Sequence, residues 1–205
     1  MMSPGTLYTI SAPSGAGKTS LVNALVAQCP DIVASISYTT RSPRPGEQNG
    51  VNYHFVDTEQ FIAMVNHGDF LEHARVFDNY YGTSKTWVQE TLRHGQDVIL
   101  EIDWQGALQI RRLLPESRGI FILPPSRAAL RERLTRRGQD DQAIIAKRVA
   151  QAQEEMSHYV EADYLILNTD FDVALRELQA VIISHRLRLD AQQQRHSAIF
   201  RELLS

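Results

Sequence analysis

Residues Ala12 to Thr19 read A-P-S-G-A-G-K-T, entered from the apolar run Leu7-Tyr8-Thr9-Ile10 and followed by Ser20-Leu21-Val22-Asn23-Ala24-Leu25-Val26. A strand, a glycine-rich loop and a helix start in this order form a phosphate-binding loop. Gly15 and Gly17 let the backbone curl, so that successive N–H groups point inward at phosphate oxygens. The helix that follows adds the positive end of its dipole. Lys18 is placed to reach the β- and γ-phosphates of a nucleoside triphosphate, and the Thr19 hydroxyl to bind Mg²⁺. One position departs from the general G-x-x-x-x-G-K-[ST] pattern, because Ala12 stands where the first glycine would be.

Further along, Asp97 to Ile102 reads as a buried strand that ends in Glu101 and Asp103, where a second carboxylate on the metal side belongs in such a fold. Asp103-Trp104-Gln105-Gly106 also fits the short D-x-x-G pattern of GTPases, but the chain holds no Asn-Lys pair and so lacks the N-K-x-D guanine signature. Arginine placement is more telling. Between Arg127 and Arg148 stand Arg127, Arg131, Arg133, Arg136, Arg137, Lys147 and Arg148 against Glu132, Asp140 and Asp141, a local excess of four positive charges in a chain whose net charge is −3. Arg127, Arg131 and Arg136 suit intrahelical ion pairs on a solvated face. Arg137-Gly138 lies at a helix end before a polar stretch, as a hinged lid would. Guanidinium groups on such a lid neutralise the charge that a transferring phosphoryl group spreads over its oxygens. A second anion site is legible in Ser37 to Glu47, where Arg41 and Arg44 sit three residues apart on a proline-stiffened loop, with Tyr53 and Tyr81 as hydroxyl donors for a monophosphate.

The elements that must position these groups alternate. Expected strands are Leu7 to Ile10, Ile32 to Ile36, Asp97 to Ile102, Gly119 to Leu123 and Tyr164 to Leu167. Expected helices follow Gly17, then run over Gly106 to Leu114, Ser126 to Arg137, Asp141 to Glu161 and Phe171 to Leu189. This βαβα order predicts an α/β fold, a parallel sheet with helices on both faces. The stretch from Ser35 to about Gly82 interrupts it as an inserted lobe. There Ser37 to Gly50 reads as a functional loop, Val51 to Val56 and Phe70 to Val76 as strands, Thr58 to Asn66 as a helix capped by Thr58, and Asp78-Asn79 as a turn. A helix over Lys85 to His94 ends at Gly95.

Length and composition set the class. A chain of 205 residues buries enough surface to need no staples. The single Cys29 excludes an internal disulfide, and no Cys/His cluster suggests a structural metal. No basic leader precedes a long apolar run, and no stretch approaches the roughly 20 apolar residues of a membrane span. These features predict a cytoplasmic protein without membrane partners. Lys+Arg 21 against Asp+Glu 24 argues against a nucleic-acid partner. Residues 190–205 are polar with an amphipathic end at Ile199, Phe200, Leu203 and Leu204, either a docking helix, through which homo-oligomers would form, or a frayed tail.

Several motifs together resemble the guanylate kinase family: S-A-P-S-G-A-G-K-T, T-T-R-S-P-R-P-G-E, F-L-E-H-A, N-Y-Y-G-T-S, E-I-D-W-Q-G, I-L-P-P-S and the R-R-G…K-R pair, in the family's order between about Gly5 and Leu187. The resemblance implies ATP + GMP ⇌ ADP + GDP, with dGMP as a further acceptor and Mg²⁺ accompanying ATP. It implies a P-loop NTPase-type core over 5–34, 84–125 and 162–187, a GMP-binding lobe over about 35–83, a helical lid over about 126–161, and a C-terminal helical tail over 188–205. Carried over residue by residue, Ala12, Pro13, Ser14, Gly15, Ala16, Gly17, Lys18 and Thr19 hold the ATP phosphates, with Arg133 and Asn168 near the adenine. Arg41, Arg44, Tyr53 and Tyr81 hold the GMP phosphate; Ser37, Glu72, Thr83 and Asp103 surround the guanine. Lys18, Arg44, Arg137 and Arg148 act on the transferring phosphate, while Thr19, with Glu101 or Asp103 through water, holds the metal. Two departures are visible: Glu101 stands where the family commonly has Asp, and Asn168-Thr169-Asp170 replaces a more usual Asn-Asp pair.

Base choice has its own chemistry. Guanine offers N1–H and a 2-amino group as adjacent donors beside an O6 acceptor. A carboxylate such as Glu72 accepts both, and a hydroxyl such as Ser37 donates to O6. Adenine would set a lone pair at N1 against the carboxylate. Two other outcomes remain open at this level: an interaction module that keeps the acceptor lobe without turnover, and a kinase for a phosphorylated sugar. The intact Gly15, Gly17, Lys18 and Thr19 set weighs against the first, and the Ser37, Arg41, Arg44, Glu72 and Tyr81 set against the second.

Overall fold

Apolar runs at β1 (Leu7–Ser11), β2 (Ile32–Ala34), β7 (Asp97–Glu101), β8 (Arg118–Leu123) and β9 (Tyr164–Leu167) pair in the order β2-β7-β1-β8-β9. Every pairing in this sheet is parallel, with Leu7 beside Val98 and Tyr8 beside Arg118. The computed structural model describes residues 4–76, 78–136 and 142–205.

Alternation along β1 sends its side chains to two cores. Tyr8 and Ile10 join Ile99, Ile120, Ile122 and Ile166 on one face, where α1 (Lys18–Gln28) contributes Leu21 and Leu25 and α7 (Phe171–Arg186) contributes Leu175, Leu178 and Ile182. Leu7, Val98, Leu100 and Ile102 form the opposite core with Val88 of α3 (Lys85–Arg93) and Ile110 of α4 (Trp104–Leu113). Ile10, Ile99, Ile120 and Ile122 are fully buried or within 1% of it, each contributing about 1.5–3 kcal/mol of transfer free energy. A third, smaller core joins α5 (Arg127–Arg136) to α6 (Gln142–Ser157) through Leu130, Leu134 and Ala152.

The interrupting lobe carries a second sheet. β3 (Tyr38–Thr39), β4 (His54–Phe55), β5 (Phe70–Val76) and β6 (Asn79–Ser84) are ordered β4-β3-β6-β5, with β3 and β4 parallel and the other pairs antiparallel. α2 (Thr58–His67) lies beside it, and Phe61 stacks on Phe70 and Tyr80.

Boundaries differ from expectation where polar side chains take cap roles. Asp57, not Thr58, caps α2, accepting from the Gln60 N–H at 2.7 Å. α4 begins at Trp104, two residues before the expected Gly106, because Asp103 accepts from the Gly106 N–H. The stretch expected as a strand over Val51 to Val56 forms a strand only at His54–Phe55, with an isolated bridge at Tyr53, and the segment read as a loop from Ser37 contains β3. The helix expected from Asp141 to Glu161 becomes a 3₁₀ turn at His158–Glu161, and the chain after α7 forms α8 (Leu189–Arg195) and α9 (Ser197–Leu203). No described helix is long and apolar enough to cross a membrane.

Candidate active site

The carboxyl ends of β1 and β7 open toward the second sheet, leaving a cavity of about 660 Å³ between them. Pro13, Ser14, Gly15, Gly17, Lys18 and Thr19 form its floor. Lys18 starts α1, and its ammonium donates to the Ile102 carbonyl at 3.2 Å. Loss of water pushes the Lys18 ammonium below the usual lysine range, opposed by the carboxylates of Glu101, Asp103, Glu155 and Glu72. Thr19 donates its hydroxyl to Glu101 at 2.9 Å. These are hard oxygen donors at the mouth of a phosphate loop, and they fit Mg²⁺, which takes most of its ligands from phosphates and water.

Ser37, Arg44, Tyr53, Glu72 and Tyr81 line the opposite wall, and Asp103, just past β7, lines the cavity from the core side. A β-bulge between Phe70 and Glu72 sets Glu72 directly across from Thr83. Thr83 donates its hydroxyl to Glu72 at 2.6 Å, and both residues are buried. Burial pushes the Glu72 carboxyl up to about 7, with Asp103 adding to the rise and Thr83 and Lys18 opposing it. Gly106 makes this packing feasible, since a Cβ there would stand 2.7 Å from Glu72 Oε2. Burial likewise raises the Asp103 carboxyl, against the Gly106 N–H and Lys18.

Arg41 and Thr83 stand one layer behind this wall. Arg41 forms a two-point ion pair with Glu47 at 2.8 and 2.9 Å and lies over the Tyr53 ring at 5.4 Å, while Glu47 also accepts from the Arg44 N–H at 2.7 Å. Glu47 thus fixes the bend that carries both arginines. Arg133 lines the cavity from α5, whereas Asn168 is buried behind the phosphate loop. Ala16 is likewise buried. Arg148 lies on α6, and Arg137 lies outside the described residues.

Seven cavity residues escape the sequence reading: Ser20, Ala74, Val76, Ile102, Trp104, Phe121 and Glu155. Glu155 accepts from the Ser14 N–H at 3.4 Å, so a carboxylate from α6 reaches the phosphate loop. Burial raises its carboxyl, against that N–H and Lys18. The helical repeat carries a signal for it, because Glu155 follows Arg148 by seven residues and shares its face, about 10 Å further along. Trp104 stacks on His158 with ring centroids 3.5 Å apart, which joins the first turn of α4 to the 3₁₀ turn that follows α6.

A family model described as guanylate kinase matches residues 5–185. The chain belongs to the guanylate kinase family. It is 60% identical over 205 residues to a guanylate kinase of Saccharophagus degradans, covering 100% of both chains. It is 55% identical over 206 residues to a guanylate kinase of Vibrio cholerae, again covering 100% of each. The crystal structure of guanylate kinase from Anaplasma phagocytophilum superposes with a TM-score of 0.78 at 31% identity, over 92% of this chain and 89% of that one. Within a guanylate kinase the two walls acquire direction: the phosphate loop belongs to the parallel-sheet core, and the Glu72 wall to the interrupting lobe.

Proposed function

We propose that the cleft transfers the γ-phosphoryl group of ATP to GMP, or dGMP, giving ADP and GDP. One observation carries the choice of acceptor: a buried carboxylate, Glu72, faces the phosphate loop across a single cavity with Ser37 beside it. Ionised Glu72 accepts guanine N1–H and the 2-amino group, and Ser37 donates to O6. Thr83 holds the carboxylate in orientation, and Asp103 closes the site from the core side. Arg44, Tyr53 and Tyr81 take the GMP phosphate, with Arg41 supporting them through Tyr53 and Glu47.

On the donor side, the amides from Ser14 to Thr19 and the Lys18 ammonium hold the β- and γ-phosphates. Thr19 and Glu101, or Asp103 through water, are the residues that would hold Mg²⁺, which when bound neutralises phosphate charge. A GMP phosphate oxygen attacks the γ-phosphorus in line, the bond to the ADP oxygen breaks, and no covalent enzyme intermediate forms. Lys18 and Arg44, with Arg137 and Arg148, share the charge that develops. Positioning and electrostatics suffice, because the attacking oxygen is already ionised.

In this reading residues 5–34, 84–125 and 162–187 are the core, 35–83 the GMP-binding lobe and 126–161 a lid whose closure excludes water. The tail 188–205, which exposes Leu189, Leu203 and Leu204, is the surface for self-association. A cytoplasmic setting suits the free Cys29 thiol. The test is ADP formation with GMP, dGMP, AMP, dTMP and a sugar phosphate offered separately. Turnover confined to GMP and dGMP is expected; equal turnover with AMP, or no GDP at all, refutes the reading.

A further inference from the structure

Two side chains from distant elements converge on a single carbonyl of the phosphate loop. Asn168, just after β9, donates Nδ2–H to the Ala16 oxygen at 2.7 Å and is only 4% exposed. Arg133 of α5 donates Nη1–H to the same oxygen at 3.2 Å and Nη2–H to the Asn168 carbonyl at 2.8 Å. Asn168 is itself anchored, its backbone N–H bonded to the Leu123 carbonyl at the end of β8 at 2.8 Å. The clamp therefore transmits the position of the rigid sheet to one peptide of the loop.

That peptide matters because it is planar and trans. Holding the Ala16 oxygen toward Asn168 turns the Gly17 N–H the opposite way, and Gly17 lines the cavity. The fit is close. Gly17 has φ +94, and a Cβ there would stand 2.4 Å from Asn168 Nδ2. The same amide that orients the peptide thus restricts the position to glycine. Among the described residues, the cavity wall includes Arg133 but not Asn168, which is buried with its amide on the Ala16 carbonyl.

We infer that Asn168, together with Arg133, is a positioning residue that locks the Ala16–Gly17 peptide with its N–H aimed at the triphosphate, so that Asn168 serves the phosphates of the donor and not its base. The inference rests on the ATP:GMP reading of the cleft. It separates from a base contact by chemistry: a clamp on the loop acts on every triphosphate alike, whereas a base contact acts only where the base is present.

The experiment compares wild type with Asn168→Ala in the KM for ATP, the inhibition constants of CTP and inorganic tripolyphosphate against ATP, and the KM for GMP. The expected result is one common loss, about tenfold for a buried hydrogen bond removed, for ATP, CTP and tripolyphosphate, with the GMP KM within about twofold of wild type. A loss confined to ATP, unchanged tripolyphosphate inhibition, or no loss anywhere overturns the inference. Should Asn168→Ala fail to fold, Arg133→Lys is read in the same way, since lysine keeps the charge but cannot bridge both carbonyls. Wild type that makes no GDP in this assay defeats the ATP:GMP reading itself, and is thereby distinguished from failure of the clamp.

Discussion

GMP binding should report the titration of one buried carboxyl. Glu72 is 3% exposed, and its carboxyl is pushed up to about 7 by burial. Guanine requires the ionised form, so the apparent GMP KM should vary inversely with the ionised fraction. For a group titrating near 7, that fraction makes KM about tenfold higher at pH 6 than at pH 8. The GMP phosphate also titrates near pH 6, and Glu72→Gln separates the two effects. The substituted amide keeps an acceptor for Thr83 but offers guanine one acceptor and a clashing NH₂. The GMP KM should therefore rise far more than the ATP KM and keep only the phosphate's pH dependence. Stability moves the other way. Because the folded value lies above the unfolded value of about 4.3, the native state holds the extra proton between these limits. Stability therefore falls as pH rises from about 4.3 to 7 and stays lost above, by about 3–4 kcal/mol. Urea unfolding at pH 8 should show Glu72→Gln more stable than wild type by up to that amount, and near pH 4.5 the gain should vanish. A GMP KM with the same pH profile in both proteins, or no stability gain at pH 8, refutes the reasoning.

Lys18→Met should lower kcat by roughly 10² to 10³-fold, the scale for losing one preorganised charge, with circular dichroism unchanged; wild-type turnover would remove its role. Glu155→Gln should lower the ATP KM several-fold, because the carboxylate that now meets the Ser14 N–H repels incoming phosphate by about 1 kcal/mol; a higher KM would mean that Glu155 assists the donor. Asp97→Asn should destabilise by about 3 kcal/mol in urea unfolding, since Asp97 accepts from the Thr6 N–H at 2.7 Å and from Arg186 Nε at 2.8 Å. Its kcat should be unchanged, and a drop in kcat at full folding would show coupling to the cleft.

What is legible in the sequence is local. The phosphate loop is one contiguous stretch, and its glycines, lysine and threonine declare their geometry without a partner. The parallel order follows from alternating apolar runs. Glu72 is different: F-L-E-H by itself does not separate a guanine-reading carboxylate from a solvated one at a strand edge, and the bulge opposite Thr83 and the approach of Gly106 bury it. The second sheet is half hidden because β3 has two residues and pairs with β6 some forty positions away, beyond the reach of periodicity. Asp103 reads as a metal-side carboxylate, which hides its role as a helix cap and shifts the start of α4. Asn168 enters the sequence reading only through the family resemblance, as a neighbour of the adenine, because the Ala16 carbonyl it holds is 152 residues away and leaves no local signal.

The Asp97–Arg186 pair closes the amino-terminal edge of the parallel sheet, opposite the cleft. Gly5 N–H bonds the Leu92 carbonyl there, Arg186 also donates to the Pro30 carbonyl at 2.9 Å, and Arg195 meets Asp31 at 3.7 Å. The amino-terminal end and helix α8 therefore lie at the protein's rear. A fluorophore or tether attached near Gly5 or on α8 would hang behind the sheet, leaving the two facing walls in front unencumbered for force, immobilisation or energy-transfer measurements.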